Sequence, residues 1–251
     1  MKKLLILLGI LIFIIGCAGN KPKPNWTAEQ YYEYAKKIFD DEDYYDASNQ
    51  FTVVVLRYPG SAIADSAQFF LAESHFYMDE YLIAASEFEK LITNYNRSPL
   101  VALGQFKLAE CYYNLSPRAP LDQEYSEKSI RAFQNFIDDF PTDKRRPDAE
   151  KRMVKLRDRL SKKKYLSAEI YRKMRKYRAA IIYYDEVLAS YYDSAWADDA
   201  MLGKIKTYIE KEDFTKAKNE LEKFKQQFPD SKLQKEAARE AAQIPAEDKT
   251  L

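Results

Sequence analysis

The chain has 251 residues, with 40 Lys+Arg against 39 Asp+Glu, one histidine and two cysteines. So even a balance leaves no basic footprint for nucleic acid, and a lone His75 with Cys17 and Cys111 gives no converging set of metal ligands. Few glycines (6) and prolines (10) point to helices with short connections, and 20 tyrosines with 14 phenylalanines are more rings than a small helical core needs, so some should lie on partner-binding surfaces.

Met1-Lys2-Lys3 is a positive start, and Leu4 to Ile15 is an apolar run too short to span a bilayer but suited to the core of a signal peptide. It ends in Ile14-Ile15-Gly16-Cys17, which resembles the bacterial lipobox, where the cysteine receives lipid before cleavage. Ile15 is bulkier than the commonest residue there, and the alternatives are an ordinary secretory signal or an N-terminal membrane anchor. Residues 1–16 are therefore expected to be a lipoprotein signal peptide, Cys17 the lipidation site, and residues 17–26 a lipidated N-terminus and flexible linker rich in Lys and Pro. By resemblance to lipoprotein sorting, Ala18 after the cysteine favours the outer membrane.

A repeat runs through the remainder. An aromatic residue closes each segment at Tyr58, Tyr95, Phe140, Tyr191 and Phe228, with spacings of 37, 45, 51 and 37 residues. Eleven positions earlier stand Ala47, Ala84, Ser129, Ala180 and Ala217. Seven earlier are Phe51, Phe88, Phe133, Tyr184 and Leu221, and four earlier are Val54, Leu91, Phe136, Val187 and Phe224. These offsets put one small and two large residues on a single helical face. An upstream partner helix in each segment carries its own close-contact residue at Ala35, Ala72, Ala109 or Ala168, with Ile205 as the exception in the fifth. This is the tetratricopeptide pattern, with closing prolines at Pro59, Pro141 and Pro229. The expected fold is all-α: five tetratricopeptide helix pairs stacked as a right-handed superhelical solenoid with a C-terminal capping helix, because no single pair can bury its apolar face alone.

The irregularities fall in the third and fourth repeats. A Pro-rich loop around Leu115-Ser116-Pro117-Arg118-Ala119-Pro120 separates the third pair, and Asp148 to Met174, free of Gly and Pro, is expected to be one long helix. Leu233 to Gln243 reads as the cap. His75 takes a position held elsewhere by Ile38, Tyr112, Tyr171 and Tyr208, so packing is its expected role. Cys111 is expected to be a buried, inert thiol. The basic stretch Lys144 to Lys164 is interleaved with acids and reads as a solvated face, against the alternative of a site for anionic lipid or an acidic partner. No nucleophile stands beside a base and no Gly-rich phosphate loop is present, so no catalytic residue, metal or cofactor is expected.

In tetratricopeptide folds the first helix of each pair lines the concave face. Counting from the small residue, that face holds Tyr32, Phe39, Phe69, Phe76, Tyr77, Phe106 and Tyr113 in the first three repeats, a run of rings that repeat packing does not require. In the fourth it changes character to Lys162, Tyr165, Glu169, Arg172 and Lys173. Residues 27–144 are therefore expected to carry an aromatic peptide-binding groove, the alternative being that a neighbouring helix or the N-terminal linker fills part of it. Residues 145–251, with the long helix and the cap, are expected to carry a charged docking surface at Tyr165, Glu169, Arg172 and Lys173.

With the lipobox, linker and five repeats in place, the segment Asp148-Ala149-Glu150-Lys151-Arg152-Met153-Val154-Lys155-Leu156-Arg157-Asp158-Arg159-Leu160, continued by Tyr165, Ala168-Glu169 and Tyr171, resembles the BamD family of lipoproteins. The resemblance covers roughly residues 27–232. It implies a non-enzymatic scaffold of the β-barrel assembly (BAM) complex, lipid-anchored to the outer membrane and facing the periplasm. Its implied partners are a BamA-type barrel protein at the C-terminal repeats, other BAM subunits, and unfolded β-barrel precursors at the N-terminal ones. The alternatives are another tetratricopeptide envelope lipoprotein serving cell division or secretion, and a cell-wall hydrolase with a repeat domain, for which five repeats and a cap leave no room.

Overall fold

The computed structural model describes residues 23–245; the signal segment and Cys17 lie outside them. Among the described residues the secondary structure is α-helical, without strands. The helices are α1 (Ala28–Asp40), α2 (Tyr44–Arg57), α3 (Ala64–Tyr77), α4 (Tyr81–Asn94), α5 (Val101–Leu115), α6 (Glu124–Asp139), α7 (Arg146–Lys173), α8 (Tyr177–Ser190), α9 (Ala197–Glu210), α10 (Phe214–Gln227) and α11 (Gln234–Ala241). The long helix runs 28 residues, within two residues of its expected limits at either end, and α11 is the expected cap.

Each repeated residue type has a structural cause. The small residues Ala35, Ala72, Ala109 and Ala168, their partners Ala47, Ala84, Ser129, Ala180 and Ala217, and the large residues seven and four positions before each closing aromatic are all buried. Ile205, the one large residue among the small, is buried as well. A small side chain lets two backbones approach, and a ring such as Phe51 or Phe133 fills the space beside it. Each fully buried ring or aliphatic side chain stabilises the array by roughly 1.5–3 kcal/mol.

The closing aromatics turn out to be helix caps. Tyr58, Tyr95, Phe140, Tyr191 and Phe228 are the C-caps of α2, α4, α6, α8 and α10, and each backbone N–H bonds the carbonyl four residues back. Their own carbonyls then accept from the N–H three residues on, at Ser61, Ser98, Asp143, Ser194 and Ser231, so one turn is built five times. Between the two helices of a pair a second turn recurs: Glu42, Asp79, Arg175 and Glu212 adopt left-handed φ of 57 to 64°. Glu42, Arg175 and Glu212 donate to Phe39, Arg172 and Ile209, and the next residues Asp43, Lys176 and Asp213 donate to Ile38, Tyr171 and Tyr208. That pair of bonds is a Schellman cap, which satisfies the last carbonyls of the helix. The third repeat lacks it because its Pro-rich loop leaves α5 through an extended Ser116.

The chain forms two compact units, residues 1–79 and 80–251. In the first, α1, α2 and α3 pack around Tyr31, Ala35, Ala47, Phe51, Val54, Ala67 and Leu71. Part of the segment expected to be a tether belongs to this core. Trp26 packs edge-on against Tyr31 and Tyr34 at 5.5 and 5.6 Å, its carbonyl accepts from Tyr58 at 2.8 Å, and the Lys23 carbonyl accepts from Tyr31. Lys and Pro content points to a tether over residues 17–26, but the ring of Trp26 has Tyr31 and Tyr34 to bury against.

In the second unit each helix from α4 to α10 packs on its neighbour in sequence, and α11 closes the end on α9 and α10 through Ala237. The compact units divide at Asp79–Glu80, between the two helices of the second repeat, whereas the sequence changes chemical character near residue 145.

Candidate protein-binding surfaces

In the first unit, one cluster gathers most of the expected aromatic positions. Phe39 is its hub, with ring centroids 5.2 Å from Tyr44, 5.2 Å from Phe70 and 5.8 Å from Tyr77. Tyr77 stacks on Tyr44 at 4.8 Å and is half exposed, at 50%. Tyr32 sits deeper, against Phe51 and Phe70, where burial pushes its phenol pKa up. Lys36 lies 4.9 Å over the Phe70 ring and pairs with Asp40, so a charged pair borders the aromatic surface. Phe76 is partly covered and its ring meets Tyr77 edge-on. Phe69 differs from the rest. It is 5% exposed and belongs to the core, so a ligand would not touch it without displacing packed atoms.

The two aromatics assigned to the third repeat are covered by the long helix. Phe106 is 6% exposed and packs on Phe133 and Phe136 at 5.7 and 5.5 Å. The guanidinium groups of Arg145 and Arg152 each lie 5.9 Å from its centroid. Arg152 also covers Tyr113 at 5.1 Å and is fixed by Glu110 at 2.8 Å. Arg145 is clamped by Asp143, which accepts from its Nε and its backbone N–H, both at 2.8 Å. Phe106 was expected on an open face. It is instead a core ring, because Arg152 of the extended α7 and Arg145 of the turn before it lie across it.

The four expected docking residues lie in one region, and three of them are tied inward. Tyr165 packs between Tyr184 and Trp196 at 6.3 and 5.3 Å, and burial pushes its phenol up to about 12. Glu169 accepts from the Tyr184 hydroxyl and from Arg172 at 2.8 Å, and Arg172 also reaches Glu210. Burial alone would raise the Glu169 carboxyl, but the hydrogen bonds from Arg172 and Tyr184 outweigh it and hold the carboxyl below its usual range. The network therefore joins α7, α8 and α9. Lys173 is exposed and makes no ion pair with the described residues, although its charge helps to lower the Glu169 carboxyl. Sequence reasoning passed over Tyr184, Trp196 and Glu210. Tyr184 carried a signal, as the only hydroxyl-bearing ring in a column otherwise filled by Phe and Leu, and a buried hydroxyl needs a partner.

Among the described residues no three His, Cys, Asp or Glu side chains converge to hold a metal. The surfaces present rings and ion pairs on repeated helix pairs, and this combination defines the class: a tetratricopeptide-repeat scaffold, built for contact with other polypeptides. The family model for the outer membrane lipoprotein YfiO matches residues 24–210, and a tetratricopeptide-repeat model matches residues 199–231. The chain belongs to the YfiO family of outer membrane lipoproteins, which are non-enzymatic.

A curated relative, the outer membrane protein assembly factor BamD of Neisseria meningitidis serogroup B, is 24% identical over 218 residues, covering 80% of this chain and 82% of its own. Among solved structures, the P58(IPK) tetratricopeptide domain is 17% identical at a TM-score of 0.44, covering 86% of this chain and 54% of that one. The TPR2AB domain of yeast Sti1 is 12% identical at a TM-score of 0.42, covering 86% and 98%.

Proposed function

We propose that this chain is a lipid-anchored, periplasm-facing scaffold of the β-barrel assembly (BAM) complex in the outer membrane. The observation that carries the reading is the family match over residues 24–210, together with a relative whose name is that of an outer membrane protein assembly factor. Residues 1–16 act as the signal peptide and Cys17 receives the lipid. Residues 27–144 serve the substrate side, and residues 145–251 dock a BamA-type barrel subunit, with other BAM subunits as further partners.

Unfolded barrel precursors expose apolar and aromatic segments, and an aromatic surface bordered by a charged pair suits them. Tyr32, Phe39, Phe76 and Tyr77, with Tyr44 and Phe70 beside them, support this role. Phe69, Phe106 and Tyr113 support it indirectly, by holding helices in place. On the docking side Lys173 is free to meet a carboxylate, while Tyr165, Glu169 and Arg172 set the shape of the surface around it.

The test is a mild-detergent pulldown of the tagged full chain from membranes, with partners identified by mass spectrometry. Recovery of a large outer-membrane barrel protein with periplasmic domains is the expected result. Recovery of division or secretion proteins without it would overturn the assembly role.

A further inference from the structure

A single stripe of α7 meets two different environments along its length. Ala149, Arg152, Met153, Leu156, Arg159 and Leu160 recur at three- and four-residue steps and therefore share one face. On this first half the stripe is covered. Ala149, Met153 and Leu156 join the core of Phe106, Phe133 and Phe136, and Arg152 caps Phe106 and Tyr113. Arg159 donates to the carbonyl and hydroxyl of Ser116 at 2.8 and 2.6 Å, which fixes the start of the Pro-rich loop.

The same steps continue through Lys163, Leu166, Ser167, Ile170 and Met174, but α5 has ended and α6 packs against the other half. Ile170 is 58% and Met174 55% exposed. A groove of about 350 Å³ remains, with Leu166, Ser167 and Ile170 as its floor, Pro120 of the loop as one wall, and Lys163 and Lys173 along it. Glu169 reaches its edge, but that carboxylate is already bonded to Tyr184 and Arg172. Neither Lys163 nor Lys173 makes an ion pair with the described residues, as is also true of Lys151, Lys155, Arg159 and Lys162 on the same helix, whereas Arg146, Arg152, Arg157, Lys164 and Arg172 each have a carboxylate; Lys163 and Lys173 differ from the other unpaired cations in lining a groove with an apolar floor.

We propose that this groove, which shares Lys173 and Glu169 with the docking surface of the proposed function and rests on that reading there, takes a short segment of a partner protein in which apolar side chains alternate with carboxylates. Apolar side chains would cover Leu166 and Ile170, and two carboxylates would meet Lys163 and Lys173. Charge selects this occupant. A second copy laid symmetrically on the stripe would set lysines against lysines, and a concave groove walled by Pro120 does not fit a flat membrane surface. The rule at work is that uncovered apolar area beside unpaired charge marks a contact surface.

The experiment uses the full chain in detergent and three short fluorescein-labelled peptides, in which Leu alternates with Asp, with Asn or with Lys, read by fluorescence anisotropy. The Leu–Asp peptide is expected to bind best. Ile170→Asp should weaken it at least tenfold, and the double variant Lys163→Glu/Lys173→Glu should reverse the preference toward the Leu–Lys peptide. Both sites are at the surface, and circular dichroism melting checks that the variants stay folded. Equal binding of all three peptides, affinity unchanged by either variant, or self-association in light scattering abolished by Ile170→Asp would each overturn the proposal. None of these readouts involves the barrel subunit, so the assembly role stands or falls separately in the pulldown.

Discussion

Gly203 lies against the ring of Tyr184: a β-carbon at position 203 would come within 2.6 Å of Cε1, Cζ and the hydroxyl oxygen of that tyrosine. Tyr184 cannot retreat, because its ring is fully buried and its hydroxyl is bonded to Glu169. Gly203→Ala should therefore destabilise the second unit by about 1–3 kcal/mol, the usual cost of overpacking a core. Tyr184→Phe should cost about 1–3 kcal/mol for a different reason, the loss of a buried hydrogen bond to a charged group. It should not rescue Gly203→Ala, since two of the three close atoms belong to the ring. Urea denaturation of the two single variants and the double one checks this, and full rescue would show that the hydroxyl alone makes the glycine necessary.

Acid should unfold the protein by way of its paired carboxylates. The side-chain hydrogen bond from Arg145 holds Asp143 at about 2, below the 3.8 of a free aspartate. Arg157 lowers Asp193, and Glu169 and Glu220 are lowered by their cations against the opposing effect of burial. A depressed carboxylate stabilises the fold at pH above its unfolded value and loses that contribution as pH falls through its folded value. Thermal midpoints should thus be flat near neutrality, fall below about pH 4.5 and keep falling toward pH 2. Asp199 works in the opposite sense, because burial and Asp198 raise it, so protonating it relieves the fold. Asp143→Asn should lower stability at pH 7 and flatten the decline below pH 4; an unchanged slope would mean the Asp143–Arg145 pair contributes nothing.

The turn after each repeat offers a test of equivalence. Ser98, Asp143 and Ser231 each accept the backbone N–H two residues on, at 3.1, 2.8 and 3.0 Å. Ser231→Ala should cost about 1 kcal/mol, the usual net worth of one hydrogen bond, and Asp143→Ala more than that, because its clamp on Arg145 is lost as well. Asp143→Ser should recover the backbone bond but not the clamp on Arg145, and so fall between wild type and Asp143→Ala. If it behaves like Asp143→Ala, the clamp and not the turn is what matters.

How much of this was legible in the sequence divides by distance along the chain. Columns of small and large residues at offsets of eleven, seven and four reported the core correctly, because those residues sit on one helix and helical geometry alone puts them on one face. The long α7 and the capping α11 were legible for the same reason. What could not be read was the cover that one repeat lays over another. Phe106 has the place of a groove residue on α5, and only the extra turns of α7 and the turn before them bring Arg152 and Arg145 across it. Glu169 and Arg172 looked like free charges, and their partners Tyr184 and Glu210 lie 15 and 38 residues away.

The left-handed turns predict a gain in stability. Glu212 holds φ of 63°, a conformation that costs a residue with a β-carbon about 1–2 kcal/mol and glycine much less. Glu212 makes its turn bond through its backbone N–H, to the Ile209 carbonyl at 2.9 Å, so removing the side chain leaves that bond in place. Glu212→Gly should then stabilise by about 0.5–1 kcal/mol after the added freedom of glycine in the unfolded chain is counted. The melting temperature would rise by roughly 2–4 °C at most for a chain of this size. A fall would show that the Glu212 side chain contributes more than the backbone strain costs.

The aromatic surface of the first unit should separate stability from binding. Phe69 is buried, so Phe69→Ala should cost about 3–5 kcal/mol by leaving a cavity, and any loss of substrate binding would follow from unfolding. Tyr77 is half exposed and its ring touches Tyr44, Phe39 and Phe76, so Tyr77→Ala should cost about 1 kcal/mol of stability. If the surface receives unfolded barrel precursors, the same change should weaken capture of a peptide ending in a C-terminal aromatic residue by about tenfold, the equivalent of 1.4 kcal/mol. Tyr77→Phe keeps the ring that stacks on Tyr44 and should keep the capture of the peptide. The comparison that decides is binding measured well below the melting temperature of each variant. Full affinity in Tyr77→Ala would remove this cluster from the substrate site and leave the rings as packing alone.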